Sequence, residues 1–142
     1  MTEPLPLSKD ERSQIRLAFM RLVPVADEIA VALYRRLFEI APEARALFPE
    51  DLTEQRAKLI QMLIMVVGSL EESEILGKLA RESGARHRGY GAKPEHFEPV
   101  GAALLYAIQT TAVPTPSADE MALWVRLYSH VSYHMLAGLE AA

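Results

Sequence analysis

Proline cannot continue the interior of a helix, because it lacks the N–H that the preceding turn accepts and its ring collides with that turn. Nine prolines are spread through this 142-residue chain. Pro24, Pro42, Pro49, Pro94, Pro114 and Pro116 cut it into stretches within which apolar residues recur three and four positions apart. That spacing is helical and not the alternation of a half-buried strand. No stretch alternates, none repeats and none is of low complexity, so the expectation is an all-α domain spanning residues 1–142, with residues 1–7 as a loosely ordered tail.

The segments read in order. Ser8 with Glu11 forms a capping box, and Ile15, Phe19 and Leu22 follow at helical spacing up to Pro24. Asp27 to Ile40 carries Ile29, Leu33, Leu37 and Ile40 on one face, with Tyr34 and Phe38 on the neighbouring stripe. Pro42 to Phe48 predicts a helix of one or two turns closed by Pro49. Thr53 predicts the cap of a helix running to about Leu70, apolar on nearly every side and therefore expected to lie buried between others. Leu76, Ala80, Ser83 and His87 then form an inward stripe that Gly89 and Gly91 terminate. Lys93-Pro94-Glu95 opens a further helix with Phe97, Val100, Leu104 and Ile108 on one face. A second capping box, Ser117 with Glu120, precedes a last helix bearing Trp124, Tyr128, Val131 and Met135.

Composition removes several functions. There are no cysteines, so disulfides, thiolate metal sites and cysteine nucleophiles are excluded. Lys and Arg number 15 against 19 Asp and Glu, a net charge of -4 without the basic surplus that nucleic-acid binding needs. The most apolar run, Leu59 to Leu70, is too short to span a bilayer. The first residues lack the cationic lead and apolar stretch of a signal peptide, so no membrane partner and a cytoplasmic location are expected. Neither a G-x-S-x-G elbow nor a phosphate-cradling loop is present, which leaves hydrolase and nucleotide-binding chemistry without support.

Four histidines are the metal-ligand candidates. His87 ends an inward stripe, so its imidazole projects into the interior and needs a partner there, either a backbone carbonyl or a metal; spacing alone does not choose. His130 and His134, four apart, lack a third ligand and the glutamate of a metalloprotease helix, and are expected to be a surface pair. His96 is expected at the surface.

The run His87-Arg88-Gly89-Tyr90-Gly91-Ala92-Lys93-Pro94-Glu95-His96-Phe97, followed by Val100-Gly101 and Leu104-Leu105, resembles the globin family. The resemblance is specifically to bacterial single-domain globins and the globin half of the flavohaemoglobins. Leu47-Phe48-Pro49 is a second matching block. The resemblance implies a globin fold around haem b, with His87 as the iron ligand. It assigns Phe97 and Val100 to the lining of the haem, Phe48 to stacking on the porphyrin edge, and Lys58 and Leu59 to the pocket. It puts Tyr34 and Gln55 on the gas-binding side. Gln55, Leu59 and Met62 do share one helical face, and Lys58 is long enough to reach a haem propionate from the rim.

Two departures from the flavohaemoglobin pattern bear on chemistry. Those proteins support the iron-ligating histidine with a tyrosine and a glutamate; here the tyrosine's position holds Phe97, and the glutamate's aligns with Leu139, next to Glu140. The chain also has no G-x-G-x-x-G and no room for a flavin reductase, so any redox cycle is expected to draw on a separate reductase. The implied activity is reversible binding of oxygen, nitric oxide or carbon monoxide. The alternatives are nitric oxide dioxygenation with an external electron donor, and a globin-fold gas-sensing module.

Overall fold

The structure is a computed structural model, and residues 5–141 of it are described. Among the described residues there are α1 (Lys9–Leu22), α2 (Ala26–Ile40), α3 (Thr53–Gly68), α4 (Ser73–Gly89), α5 (Phe97–Thr111) and α6 (Ala118–Ala141), with 3-10 turns at Val23–Val25, Pro42–Leu47 and Pro94–His96. No strand is present among them, so the all-α expectation holds. Of the expected N-terminal tail, residues 1–4 lie outside the described residues, whereas Leu7 is buried and Leu5 packs against the core.

The ends of the helices follow local chemistry. Ser8 Oγ accepts the Glu11 N–H while Glu11 accepts the Ser8 N–H at 2.8 Å, so both halves of the first capping box form. The second box forms only in part. Ser117 Oγ accepts the Glu120 N–H at 3.1 Å, but the Glu120 carboxylate turns to Arg21 of α1. Thr53 is not the cap expected of it. It is the first helical residue, and Asp51 Oδ1 accepts both its N–H and its hydroxyl at 3.0 and 2.7 Å. The Asp51 carboxylate thus lies at the first N–H of α3, where its negative charge favours a helix start.

The C-terminus of α4 is closed by Gly91 and not by Gly89. Gly91 adopts a left-handed φ of 86°. The Ala92 N–H bonds the His87 carbonyl at 3.1 Å and the Gly91 N–H bonds the Arg88 carbonyl at 3.1 Å, which is the Schellman arrangement. The stop therefore falls immediately after His87 and fixes where the helix bearing it ends.

The helices pack in unequal ways. α4 against α6 and α2 against α5 are the extensive contacts, with α3 held mainly on α2. The α4–α6 crossing is as close as backbones allow. A Cβ built on Gly84 would lie 1.9 Å from the Met135 carbonyl oxygen, and one on Gly138 would lie 1.9 Å from the Arg81 carbonyl oxygen. Two glycines, one on each helix, thus let α4 settle directly on α6.

The expectation that α3 is buried on all sides fails. Only Val66 and Val67 are buried along it, and Ile64 and Met65 are 51% and 44% exposed. α3 does not pack closely on α4, so its apolar face is covered mainly by α2, with a smaller contribution from α1.

Candidate functional site

His87 sits where the inward stripe of α4 leaves the core. Leu76, Ala80 and Ser83 are buried, and His87 is half-buried at the end of that row. Its Nδ1 lies 2.6 Å from the Ser83 carbonyl oxygen and 3.5 Å from the Ser83 hydroxyl. A carbonyl only accepts, so Nδ1 carries a proton, and in the neutral ring Nε2 then keeps its lone pair. A backbone carbonyl on one nitrogen and a free lone pair on the other is the arrangement a metal-ligating imidazole uses. The two partners left open by the sequence, carbonyl or metal, are therefore compatible, because they engage different ring nitrogens.

The other histidines are disposed differently. His96 is half-buried, and its Nδ1 accepts the Lys93 N–H at 3.0 Å, closing the short turn before α5. That bond uses the nitrogen for backbone structure. His130 and His134 are not a surface pair. They are 6% and 4% exposed, with ring centroids 4.8 Å apart, and Arg81 of α4 donates to His134 Nδ1 at 3.3 Å. The glycine crossing brings α4 so near α6 that side chains spaced four apart on α6 are enclosed. No cluster of three or more metal-ligating side chains occurs among the described residues.

Tyr34 is buried on α2, at 6% exposure. Burial pushes its phenol above the ordinary value, and Gln55 of α3 opposes part of that rise through a side-chain hydrogen bond. The hydroxyl therefore stays protonated at neutral pH and is available as a donor. Around it, Tyr34, Phe38 and Phe48 form a triangle of rings. Tyr34 to Phe48 is 5.5 Å and edge-on, Phe38 to Phe48 is 5.6 Å, and Tyr34 to Phe38 is 6.2 Å. Edge-on aromatic pairs at such distances add to the area they bury.

The remaining candidates are placed as follows. Leu59 on α3 and Val100 on α5 are half-buried against the core, as is Phe48. Phe97 is half-buried and lines an open groove of about 400 Å³ with Tyr128, Ser129 and Leu136. Its carbonyl accepts the Tyr128 hydroxyl, whose pKa burial raises. Lys58 is exposed on α3 beside Leu59. Leu139 is buried and Glu140 exposed, so no carboxylate replaces the leucine inside α6.

Gln55 acts on the Tyr34 phenol and Phe48 packs on its ring, while His87 stands on a separate helix that does not pack closely on α3. Half-buried Leu59, Met62 and Leu63 on α3, with Val100 and Leu105 on α5, leave apolar surface that the polypeptide does not cover. An imidazole lone pair, a buried phenol and partly covered apolar side chains are the donor set that a haem and a small ligand require.

The family model for globins matches residues 31–135. The chain belongs to the globin family. It is 29% identical to a neuroglobin of Tetraodon nigroviridis, the likeness covering 93% of this chain and 92% of that protein. It is 24% identical to a flavohemoprotein of Rhizobium meliloti over 76% of this globin, but spans only 27% of that longer protein. In three dimensions it superposes on a hexacoordinated heme protein from an anhydrobiotic tardigrade with a TM-score of 0.89 at 17% identity, covering 96% of this chain and 97% of that one. A likeness at that identity speaks for the fold of this globin.

Three features escaped the sequence reading. Gly84 and Gly138 had one available signal, since a glycine within a helical pattern costs about 1 kcal/mol relative to alanine and its retention points to packing. The hydrogen bonding of Arg45, taken up below, had none.

Proposed function

We propose that this globin binds haem b through His87 and reversibly holds a diatomic gas, oxygen foremost, beside Tyr34 and Gln55. Bound haem supplies an iron to which such a gas attaches. The single observation that carries the reading is the 2.6 Å contact between His87 Nδ1 and the Ser83 carbonyl, which orients the ring and reserves Nε2 for a metal. Phe48, Leu59, Phe97 and Val100 would hold the apolar macrocycle, and Lys58 its propionate edge. The Tyr34 hydroxyl and the Gln55 amide would donate to the gas from adjoining helices, a role a desolvated phenol suits because burial keeps its proton in place.

His87→Ala is expected to abolish haem retention while His96→Ala leaves it intact, measured as haem stoichiometry after reconstitution. Loss in the His96 variant with retention in the His87 variant would reverse the assignment. Tyr34→Phe is expected to accelerate oxygen dissociation about ten- to a hundredfold, since a hydrogen bond to a charged partner contributes roughly 1.5 to 3 kcal/mol. Carbon monoxide, less polar when held, should respond much less, and equal shifts for the two gases would sink the donor role.

The flavohemoprotein likeness, confined to the globin portion, favours one second reading, nitric oxide dioxygenation with electrons from a separate reductase. Nitric oxide consumption that rises on adding a generic reductase with NADH is the expected result, and no rise would remove that reading. Cytoplasmic residence is part of the proposal. No helix among the described residues is long and apolar enough to cross a membrane.

A further inference from the structure

Arg45 lies in the 3-10 turn Pro42–Leu47, between α2 and α3. Among the described residues its donors go to backbone carbonyls and not to a carboxylate. Nη1 donates to the Phe48 and Pro49 carbonyls at 3.2 and 3.0 Å, and Nη2 donates to the Glu50 carbonyl at 3.2 Å. The same guanidinium lies 5.1 Å above the Phe38 ring. A planar fork with five donors can serve three carbonyls and an aromatic face at once, which an ammonium cannot.

What Arg45 grips is the segment that needs an external hold. Residues 48–52 form no helix or 3-10 turn, so their carbonyls have few partners within the chain's own regular structure. The segment begins with Phe48, whose ring packs edge-on against Tyr34. It ends at the start of α3, where Asp51 accepts the N–H of Thr53, two residues before Gln55. One guanidinium therefore ties together the ring that buttresses Tyr34, the ring of Phe38 beside it, and the approach to Gln55.

We infer that Arg45 is a positioning residue for the Tyr34–Gln55 pair, acting through the Phe48–Glu50 backbone and the Phe38–Phe48 rings. It touches no gas itself. The inference rests on the proposed gas-binding role of that pair.

The test uses the full chain with Arg45→Met and Arg45→Lys, each on the native background and on Tyr34→Phe. Amide hydrogen exchange is measured first, without haem. Arg45→Met should speed exchange at the Phe48, Thr53 and Arg56 amides about tenfold relative to amides of α5. Oxygen dissociation is measured second, on haem-loaded protein. Arg45→Met should speed it about fivefold on the native background and less than twofold on Tyr34→Phe, because neighbours that act through one another are not additive. Arg45→Lys, which keeps the charge without the fork, should fall between native and Met. Equal acceleration on both backgrounds, or faster exchange with unchanged oxygen dissociation, overturns the inference. Should the Met variant not fold, the Lys variant is read by the same criteria. If the native chain takes up no haem, the functional proposal fails, and the exchange measurement alone decides: unchanged amides reject the Arg45 hold.

Discussion

α4, which bears His87, and α3, which bears Gln55, are built in opposite ways. α4 rests on α6 with backbone against backbone at Gly84 and Gly138, its inward row is buried as far as Ser83, and a Schellman turn stops it just past half-buried His87. α3 is apolar but poorly covered, with only Val66 and Val67 buried, and it enters through a segment held by Arg45 and Asp51. On the proposed reading, in which His87 holds a metal and α3 faces the gas, the two roles ask for different packing. The first would rest on a rigid floor, and the second keeps apolar surface that a bound group would cover.

The largest expected effect lies in the floor. Gly84→Ala places a methyl within 1.9 Å of the Met135 carbonyl oxygen, and no flexible side chain is there to yield. Overpacking of this kind should cost about 3 kcal/mol, read from urea unfolding. A loss under 1 kcal/mol would show that α4 and α6 are looser than the comparison claims.

Haem itself gives the next. At a hundredfold excess over Kd a ligand stabilises the native state by about 2.7 kcal/mol, and the slowing of amide exchange should be concentrated in α3, where coverage is missing. Equal slowing in α4 and α6 would break the contrast between the two sides.

A smaller effect of opposite sign is expected in α3. Nothing lies within 4 Å of a Cβ on Gly68, so Gly68→Ala should stabilise by about 0.5 kcal/mol through reduced backbone freedom in the unfolded chain. Thermal unfolding of the Gly68 and Gly84 variants side by side therefore gives shifts in opposite directions.

The smallest concerns how α1 is tied to α6. A side-chain hydrogen bond from Arg126, with the Ser8 cap, holds the Glu11 carboxyl down from 4.5 to about 2. Because the folded pKa is the lower one, its contribution is present above about pH 4.5 and is lost as pH falls toward 2. The melting-temperature difference between native protein and Glu11→Gln should shrink across that interval; a constant difference would dismiss the ion pair as a contributor.

Much of this was legible in advance because it is local. Proline placement, three-and-four spacing and the Ser8 capping box depend on residues within one or two turns, and they marked out the helices and the inward row ending at His87. The partnership of Tyr34 with Gln55 was also within reach, through the globin resemblance and the shared face of Gln55, Leu59 and Met62. The surface assignment of His130 and His134 failed for the converse reason. Spacing along α6 says nothing of how near another helix comes, and two glycines on different helices decided that. α3 shows the same limit, since an apolar composition signals that a surface avoids water without saying whether protein or a bound group covers it.

By itself, then, the sequence determined the segments that become helical, the end of the helix bearing His87, and the kind of chemistry its side chains offer, because hydrogen bonds within a turn and steric limits on proline act over a few residues. Only the tertiary structure decided that Gly84 meets Met135 and Gly138 meets Arg81, that the guanidinium of Arg45 spans Phe48 to Glu50, and that α3 stands away from α4. Those outcomes depend on shape complementarity between elements distant along the chain, where each backbone can approach only as far as the side chains of both partners permit.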